Sequence, residues 1–389
     1  MNKNLFILTL SQIFSFTAAP VTVFLSGIIG SQISPLKSLS TLPMSISVVG
    51  IAIGAILATK VMSLIGRKAG FILASIGNFL VSILAAYSIM NQNFILFCFA
   101  NFFLGVGMAF THQYRFAAAE SVEKNKIPRA ISIILLGGIV SAFLGPSMAN
   151  YAKDIVTEQL YVGSYLSLAI LTIIPTIFFL FYKDTSKLES NIKYSGRSYL
   201  EIISQPRFLQ ALVAAAFGYA IMTFLMTATP LSMHVMEKMS LSKTGLVIQF
   251  HVVAMFLPSL VTGNLIKKFG HSNIMYAGVF LYSITIIASF FDQTYFNYMF
   301  ALIFLGLGWN FLFISGTSLL VLTYKEEEKF KAQGLNDFIV YSVHATGSLS
   351  AGILIVLTNW KMMNILCIPF LIIIILTTLR GEILSKKIG

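Results

Sequence analysis

Phe103-Leu104-Gly105-Val106-Gly107-Met108-Ala109-Phe110 returns 201 residues later as Phe304-Leu305-Gly306-Leu307-Gly308-Trp309-Asn310-Phe311. Both copies read FLGxGxxF, and both sit inside long apolar runs. Small residues in such runs let helices pack closely. Packing alone explains the glycines but not their return at matching positions. The simplest reading is a chain made of two similar halves.

Neighbouring positions extend the match. Arg129-Ala130 answers Lys331-Ala332, Gly145 answers Gly347, Gly66 answers Gly270, and Pro20 answers Pro230. A helix needs about 20 apolar residues to cross a hydrocarbon core of roughly 30 Å. Twelve such stretches are predicted, numbered here as spans 1 to 12: 5–29, 41–63, 70–90, 94–119, 130–151, 160–182, 208–232, 244–266, 272–291, 298–322, 333–358 and 362–380. Span 1 could be mistaken for a signal peptide, but its length of about 25 residues argues against that, and so does Pro20 directly after Ala18 and Ala19, which would spoil a small-residue cleavage site. The expected fold is an all-α integral membrane protein, with twelve transmembrane helices in two pseudo-symmetric six-helix bundles. The bundles are 1–182 and 208–389, and the polar stretch 183–207 is the linker between them.

Composition agrees. Of 389 residues, 57% are hydrophobic and 10% charged, with a mean hydropathy of +0.85. Soluble domains carry about 25% charged residues, so the solvent for most of this surface is lipid. The net charge of +12 would suggest nucleic acid in a soluble protein. Its distribution says otherwise. Only Lys37, Lys153, Lys238, Lys243 and Lys361 fall on the side away from the termini. That asymmetry predicts a multi-pass protein of a bacterial inner membrane with both termini cytoplasmic, and no nucleic-acid partner. Cys98 and Cys367 lie in apolar runs and read as packing residues. No metal-ligand cluster, phosphate loop or nucleophile–base constellation appears, so neither an enzyme nor a cofactor is expected.

The loop between spans 2 and 3, Thr59-Lys60-Val61-Met62-Ser63-Leu64-Ile65-Gly66-Arg67-Lys68, and its counterpart, Gly263-Asn264-Leu265-Ile266-Lys267-Lys268-Phe269-Gly270-His271-Ser272, resemble the G-x-x-x-D-R-x-G-R-[RK] signature of the major facilitator superfamily. Gly66, Arg67 and Lys68 match in the first copy. The usual acid is Ser63 and the first glycine is Thr59. The second copy keeps Gly263, Gly270 and Lys268. The resemblance covers the whole chain. It implies a transporter whose loop latches helix ends, here through Gly66, Arg67, Lys68, Gly263 and Gly270, with Glu120 placed to pair with Arg67. Span 5 carries Ser141-Ala142-Phe143-Leu144-Gly145-Pro146, similar to a motif of antiporters in that family. Asn101 stands where many proton-driven drug exporters of the family have arginine. Gln113–Glu120, Gln249–Pro258 and Gln333–Phe338 resemble a bacterial subgroup with members regarded as riboflavin importers.

Ionisable or polar groups in hydrocarbon are costly and face a cavity or a partner. Asn101, Met108, His112 and Arg115 follow a 3.6-residue rhythm on span 4, and Asp337, Tyr341 and His344 do so on span 11. The expected substrate cavity gathers Gln12, Asn101, Met108, His112, Gln113, Arg115, Tyr219, Thr223, Gln249, His251, Trp309, Asn310 and Phe313. Asp337, His344 and His251 are the candidates for proton coupling. Each has a plainer reading. Arg115 would snorkel or pair with Glu120, Asp337 would cap or latch, and the histidines and Asn101 and Asn310 would bond neighbouring helices. Trp309 would stack on a flat solute or wall the cavity. The expected activity is secondary transport of a small polar or aromatic metabolite by alternating access, with proton-coupled import and a riboflavin-like solute as one form. Proton-antiport efflux is the alternative, and a membrane receptor without transport a third. The expected partners are a small molecule, protons and the bilayer, and the chain is expected as a monomer.

Overall fold

Gly66 and Gly270 adopt the same unusual backbone, φ +83° with ψ 165° and φ +84° with ψ 161°. Side chains clash there, so glycine is required to turn one membrane helix into the next. The repeated sequence thus encodes one repeated turn. The computed structural model describes residues 2–36, 39, 42–184 and 197–388. Residues 185–196 of the expected linker, and Lys37, lie outside the described residues.

The described residues are helical and form twelve spans. Span 1 is Lys3–Ser15 and Ala18–Ile33, and spans 2 and 3 are one run, Leu42–Met90, folded at Gly66. Span 4 is Phe94–His112 and Tyr114–Glu120, span 5 Ile127–Ala152, and span 6 Val162–Leu180. Span 7 is Pro206–Pro230, continued by a π turn at Leu231–Met236. Span 8 is Leu241–Phe256 and Ser259–Phe269, span 9 His271–Ala288, span 10 Tyr295–Leu320 and span 11 Lys329–Leu357. Span 12 is Trp360–Ile365 and Ile368–Ile388. Ten continuous helical stretches among the described residues are long and apolar enough to cross a membrane; Leu42–Met90 counts among them once, and Lys329–Leu357 of span 11 is not one of them.

The chain divides into two compact units. Unit 1 is Met1–Glu123, Ile133–Ser195 and Gln333–Phe338, and unit 2 is Lys124–Ser132, Gly196–Ala332 and Ile339–Gly389. Each unit is organised around its FLGxGxxF helix. Glycines two apart on a helix point about 200° from each other, so each admits a different neighbour. A methyl on Gly105 would overlap the Ser47 carbonyl of span 2, and one on Gly107 would overlap the Asn78 amide of span 3. In unit 2, a methyl on Gly306 would lie 2.7 Å from the His251 carbonyl of span 8, and one on Gly308 would run into the Tyr282 ring of span 9. The sequence repeat is therefore a packing repeat.

The departures from the loop signature are also packed. Thr59, in place of the first glycine, has Gly334 opposite it, where a methyl would run into the threonine hydroxyl. Gly263, which keeps the glycine, admits the backbone of Arg129, whose Cα would lie 2.7 Å from an added methyl. Gly145 is close-packed too: a methyl there would fit tightly, 3.0 Å from the Thr17 carbonyl and 3.4 Å from Pro20. Span 5's glycine is a packing element against span 1.

Candidate functional site

In unit 1, spans 1 and 4 break at one level. Span 1 breaks at Phe16–Thr17 and span 4 at Gln113. Phe16 meets His112 edge-on at 6.0 Å, and the Ser15 and Tyr114 hydroxyls lie 2.9 Å apart. The break leaves the Gln113 side chain free to point away from its own helix. It donates to Asp337 Oδ2 at 2.9 Å. Asp337 is fully buried. It also accepts from Asn336 Nδ2 at 2.9 Å and forms an ion pair with Arg115. Arg115 was expected to snorkel or to pair with Glu120. Its partner is Asp337, and the reason is local: Glu120 is already spent.

Glu120 takes both arms of Arg67, with Nε donating at 2.7 Å and Nη2 at 2.5 Å. Such a two-pronged guanidinium–carboxylate pair is the strongest kind of side-chain hydrogen bonding. Arg67 is wholly buried and also donates to Gln333 Oε1 at 2.8 Å. Lys68 goes elsewhere, donating its ammonium to the Leu180 carbonyl at 2.7 Å and its backbone N–H to Asp184. The network Arg67–Glu120–Gln333 and Arg115–Asp337–Gln113–Asn336 is thus a set of closed charge pairs. Gln333 was not among the expected latch residues: the stretch 333–338 carries only the subgroup resemblance, and an uncharged residue near a helix start gives no sign of pairing with Arg67.

In unit 2, Tyr219 of span 7 is the hub of a layer of rings. It lies 5.4 Å from Trp309, 5.5 Å from Phe313, 5.9 Å from Tyr341 and 4.4 Å from His344. Trp309 stacks on Phe313 at 4.9 Å and 12°, and meets Phe256 edge-on at 5.7 Å. Trp309, Phe313, Tyr341 and Phe256 are buried, while Tyr219 and His344 are partly exposed. Trp309 Nε1 and His344 Nδ1 have no hydrogen-bond partner among the described residues. Phe256 was not anticipated, because one phenylalanine among 34 carries no mark.

Other expected cavity residues are occupied by packing. Asn310 donates to the Met255 carbonyl at 2.6 Å and to Ser259 Oγ at 2.8 Å, and accepts from Thr262 at 2.7 Å. Span 8 breaks at Leu257–Pro258, and carbonyls before a helix break need partners. Asn310 closes that break. His251 Nδ1 lies 2.7 Å from the Leu302 carbonyl, so that nitrogen carries the proton and donates. Asn101 donates to the Phe97 carbonyl of its own helix at 2.8 Å. Met108 and Thr223 are buried, and Gln249 is exposed beside Phe250. Gln12 is buried beside Gly137, and its Oε1 has no partner among the described residues. Cys98 and Cys367 are buried free thiols.

Outside the membrane-spanning segments, Arg197 grips Glu328 at the start of span 11. Nε donates at 2.8 Å, Nη2 at 2.5 Å and the backbone N–H at 3.1 Å. The Arg197 hydrogen bonds pull the Glu328 carboxyl from the ordinary 4.5 down to about 2.

Residues 5–257 and 228–384 match the family described as Major Facilitator Superfamily. The chain is 36% identical over 273 residues to the riboflavin transporter RfnT of Brucella anthropi, covering 70% of this chain and 68% of that protein. It is 27% identical over 279 residues to YddS of Bacillus subtilis (strain 168), an uncharacterized MFS-type transporter, covering 67% and 64%. Among solved structures, the human organic anion transporter MFSD10 superposes with a TM-score of 0.77 at 12% identity, over 97% of this chain and 99% of that one. FucP superposes with a TM-score of 0.73 at 16% identity, over 97% and 98%. At these identities the superpositions speak to the fold alone.

Proposed function

The chain belongs to the Major Facilitator Superfamily of secondary transporters, and from that premise we propose that it imports a small aromatic metabolite, riboflavin or a relative of it, by alternating access. The observation that carries the reading is the aromatic layer around Tyr219, a surface suited to a flat ring. The similarity to RfnT over 70% of the chain supports the same solute. Bulk and burial argue in one direction: Trp309, Phe313 and Tyr341 form a fixed wall, and the partly exposed Tyr219 and His344 are its accessible edge.

The proposal places the protein in a bacterial inner membrane as a monomer. Residues 1–182 and 208–389 are its two bundles, and both termini are cytoplasmic, as the lysine and arginine asymmetry supports. Import is coupled to protons through titratable groups inside the spans, His344 first. Asp337 is closed by three donors, Gln113, Asn336 and Arg115, so it reads as a structural charge in this arrangement. Efflux draws no support from span 5, whose Gly145 is accounted for by its contact with span 1.

The test is riboflavin-dependent growth and labelled riboflavin uptake in a riboflavin-requiring bacterium lacking its own importer. Expression of this chain should restore growth at micromolar riboflavin. A protonophore should abolish accumulation against a gradient. Failure to restore growth sinks the solute assignment, and accumulation indifferent to the protonophore removes the coupling.

A further inference from the structure

The aromatic layer of unit 2 is saturated with ring contacts and starved of hydrogen bonds. The Trp309 indole is 2% exposed and held in place by Phe313 on its face and by Tyr219 and Phe256 at its edges. Its N–H can only donate, and a buried tryptophan ordinarily finds an acceptor. None is present among the described residues. His344, 4.4 Å from the same Tyr219, has a second buried nitrogen without a partner. Two unanswered ring nitrogens thus flank one partly exposed tyrosine.

Charge is absent from this layer. Trp309, Phe313, Tyr219, Tyr341, His344 and Phe256 include no lysine, arginine or acid. The buried arginines of the described membrane spans, Arg67 and Arg115, are already matched by Glu120 and Asp337. With His344 neutral, an anionic solute would find no uncommitted cation among the described residues of this layer.

We propose that Trp309 Nε1–H and His344 Nδ1 are the specificity-determining polar atoms of the site, and that they select an uncharged planar heteroaromatic ring bearing a carbonyl or ring-nitrogen acceptor. Trp309 donates to that acceptor, and His344, which can donate or accept, meets a second polar atom of the ring. Tyr219 packs against the ring from the accessible side. This rests on the aromatic-solute reading above and goes further, because a merely apolar wall would work equally well with phenylalanine at 309.

The test uses the full-length protein purified in detergent, with riboflavin and lumichrome as probes, binding being read from flavin fluorescence. Lumichrome keeps a carbonyl-bearing ring and lacks the ribityl chain. Trp309→Phe keeps a ring and removes the N–H. It should weaken both probes by the same factor, on the order of tenfold, as for one lost buried hydrogen bond. His344→Phe, which also keeps a ring, should weaken them by a similar factor, and it stands in if Trp309→Phe does not fold. Riboflavin phosphate should bind at least about tenfold more weakly than riboflavin, since a phosphate adds charge with no cation to meet it. Wild-type affinity in both Phe variants overturns the inference and leaves the aromatic-solute reading standing. Equal binding of riboflavin and its phosphate overturns the exclusion of anionic solutes. A folded wild-type protein that binds neither probe overturns both the inference and the reading beneath it.

Discussion

Spans 4 and 10 are built on one frame and loaded with opposite chemistry. Gly105 and Gly306 admit spans 2 and 8, and Gly107 and Gly308 admit spans 3 and 9. Between and beyond the glycines the side chains diverge. Arg115 and Glu120 of span 4 stand where span 10 has Gly316 and Val321, while Trp309 and Phe313 stand where span 4 has Met108 and His112. The loops follow suit: Arg67 reaches Glu120, but its counterpart is His271. One half concentrates buried charge near a helix end, and the other concentrates rings around Tyr219. A backbone repeat fixes where helices approach one another and leaves the lining free to differ.

The frame is the costliest thing to break. Gly105→Val places atoms where the Ser47 carbonyl already is, so span 2 must move away. We expect a loss of about 3 kcal/mol or more, read as little folded protein on size-exclusion in detergent. Gly306→Val meets its first atom only at 2.7 Å and should lose less. Gly77→Ala, with nothing within 4 Å of the added methyl, should be neutral or stabilising by about 0.5–1 kcal/mol. Equal tolerance at Gly105 and Gly77 would dissolve the shared frame.

The charge in the first half comes next. Asp337→Ala strands Arg115 among buried groups, and breaking one side of a buried pair costs about 3–5 kcal/mol. Replacing both partners, Arg115→Met with Asp337→Leu, should recover most of it, because no lone charge remains buried. Val321→Ala, at the repeat counterpart of Glu120, should cost about 1 kcal/mol or less. Thermal melts of the four proteins decide the matter. A double variant no better than Asp337→Ala would mean the pair's worth lies in its geometry.

These differences explain what could be read from the sequence. Hydropathy and glycine spacing are local and repeated, so the spans and the turn at Gly66 and Gly270 were legible, as was Arg67 with Glu120 through the loop signature. The partner of Arg115 was not, since it lies 222 residues away and its identity depends on Glu120 being taken. Nor was the association of residues 333–338 with unit 1, because helix periodicity says nothing about which neighbour a helix end joins. Trp309 and Tyr219 were visible as candidates, but their meeting through Phe313 and His344 required coordinates. Asn310 was offered both as a cavity residue and as a bond between helices; Pro258 marks a helix break by its missing N–H, but nothing in the sequence places that break beside Asn310.

The smallest expected effect tests whether the second half has a charged clamp of its own outside the membrane spans. Glu328 is gripped by Arg197, whereas its repeat counterpart is the exposed Lys126. The Glu328 carboxyl sits at about 2, below its ordinary 4.5. A depressed acid contributes stability that is complete above its unfolded value and is lost as pH falls through its folded value. The pair therefore stabilises the protein at neutral pH and fades between about pH 4.5 and 2. Arg197 is partly exposed, so screening holds the contribution to about 1 kcal/mol. Glu328→Gln should lower the melting temperature by about 1–2 °C at pH 7, and the gap should narrow as both proteins are melted toward pH 3. A gap that stays constant over that range would assign the effect to packing of Glu328, and the contrast between the halves would then hold for their buried charges alone.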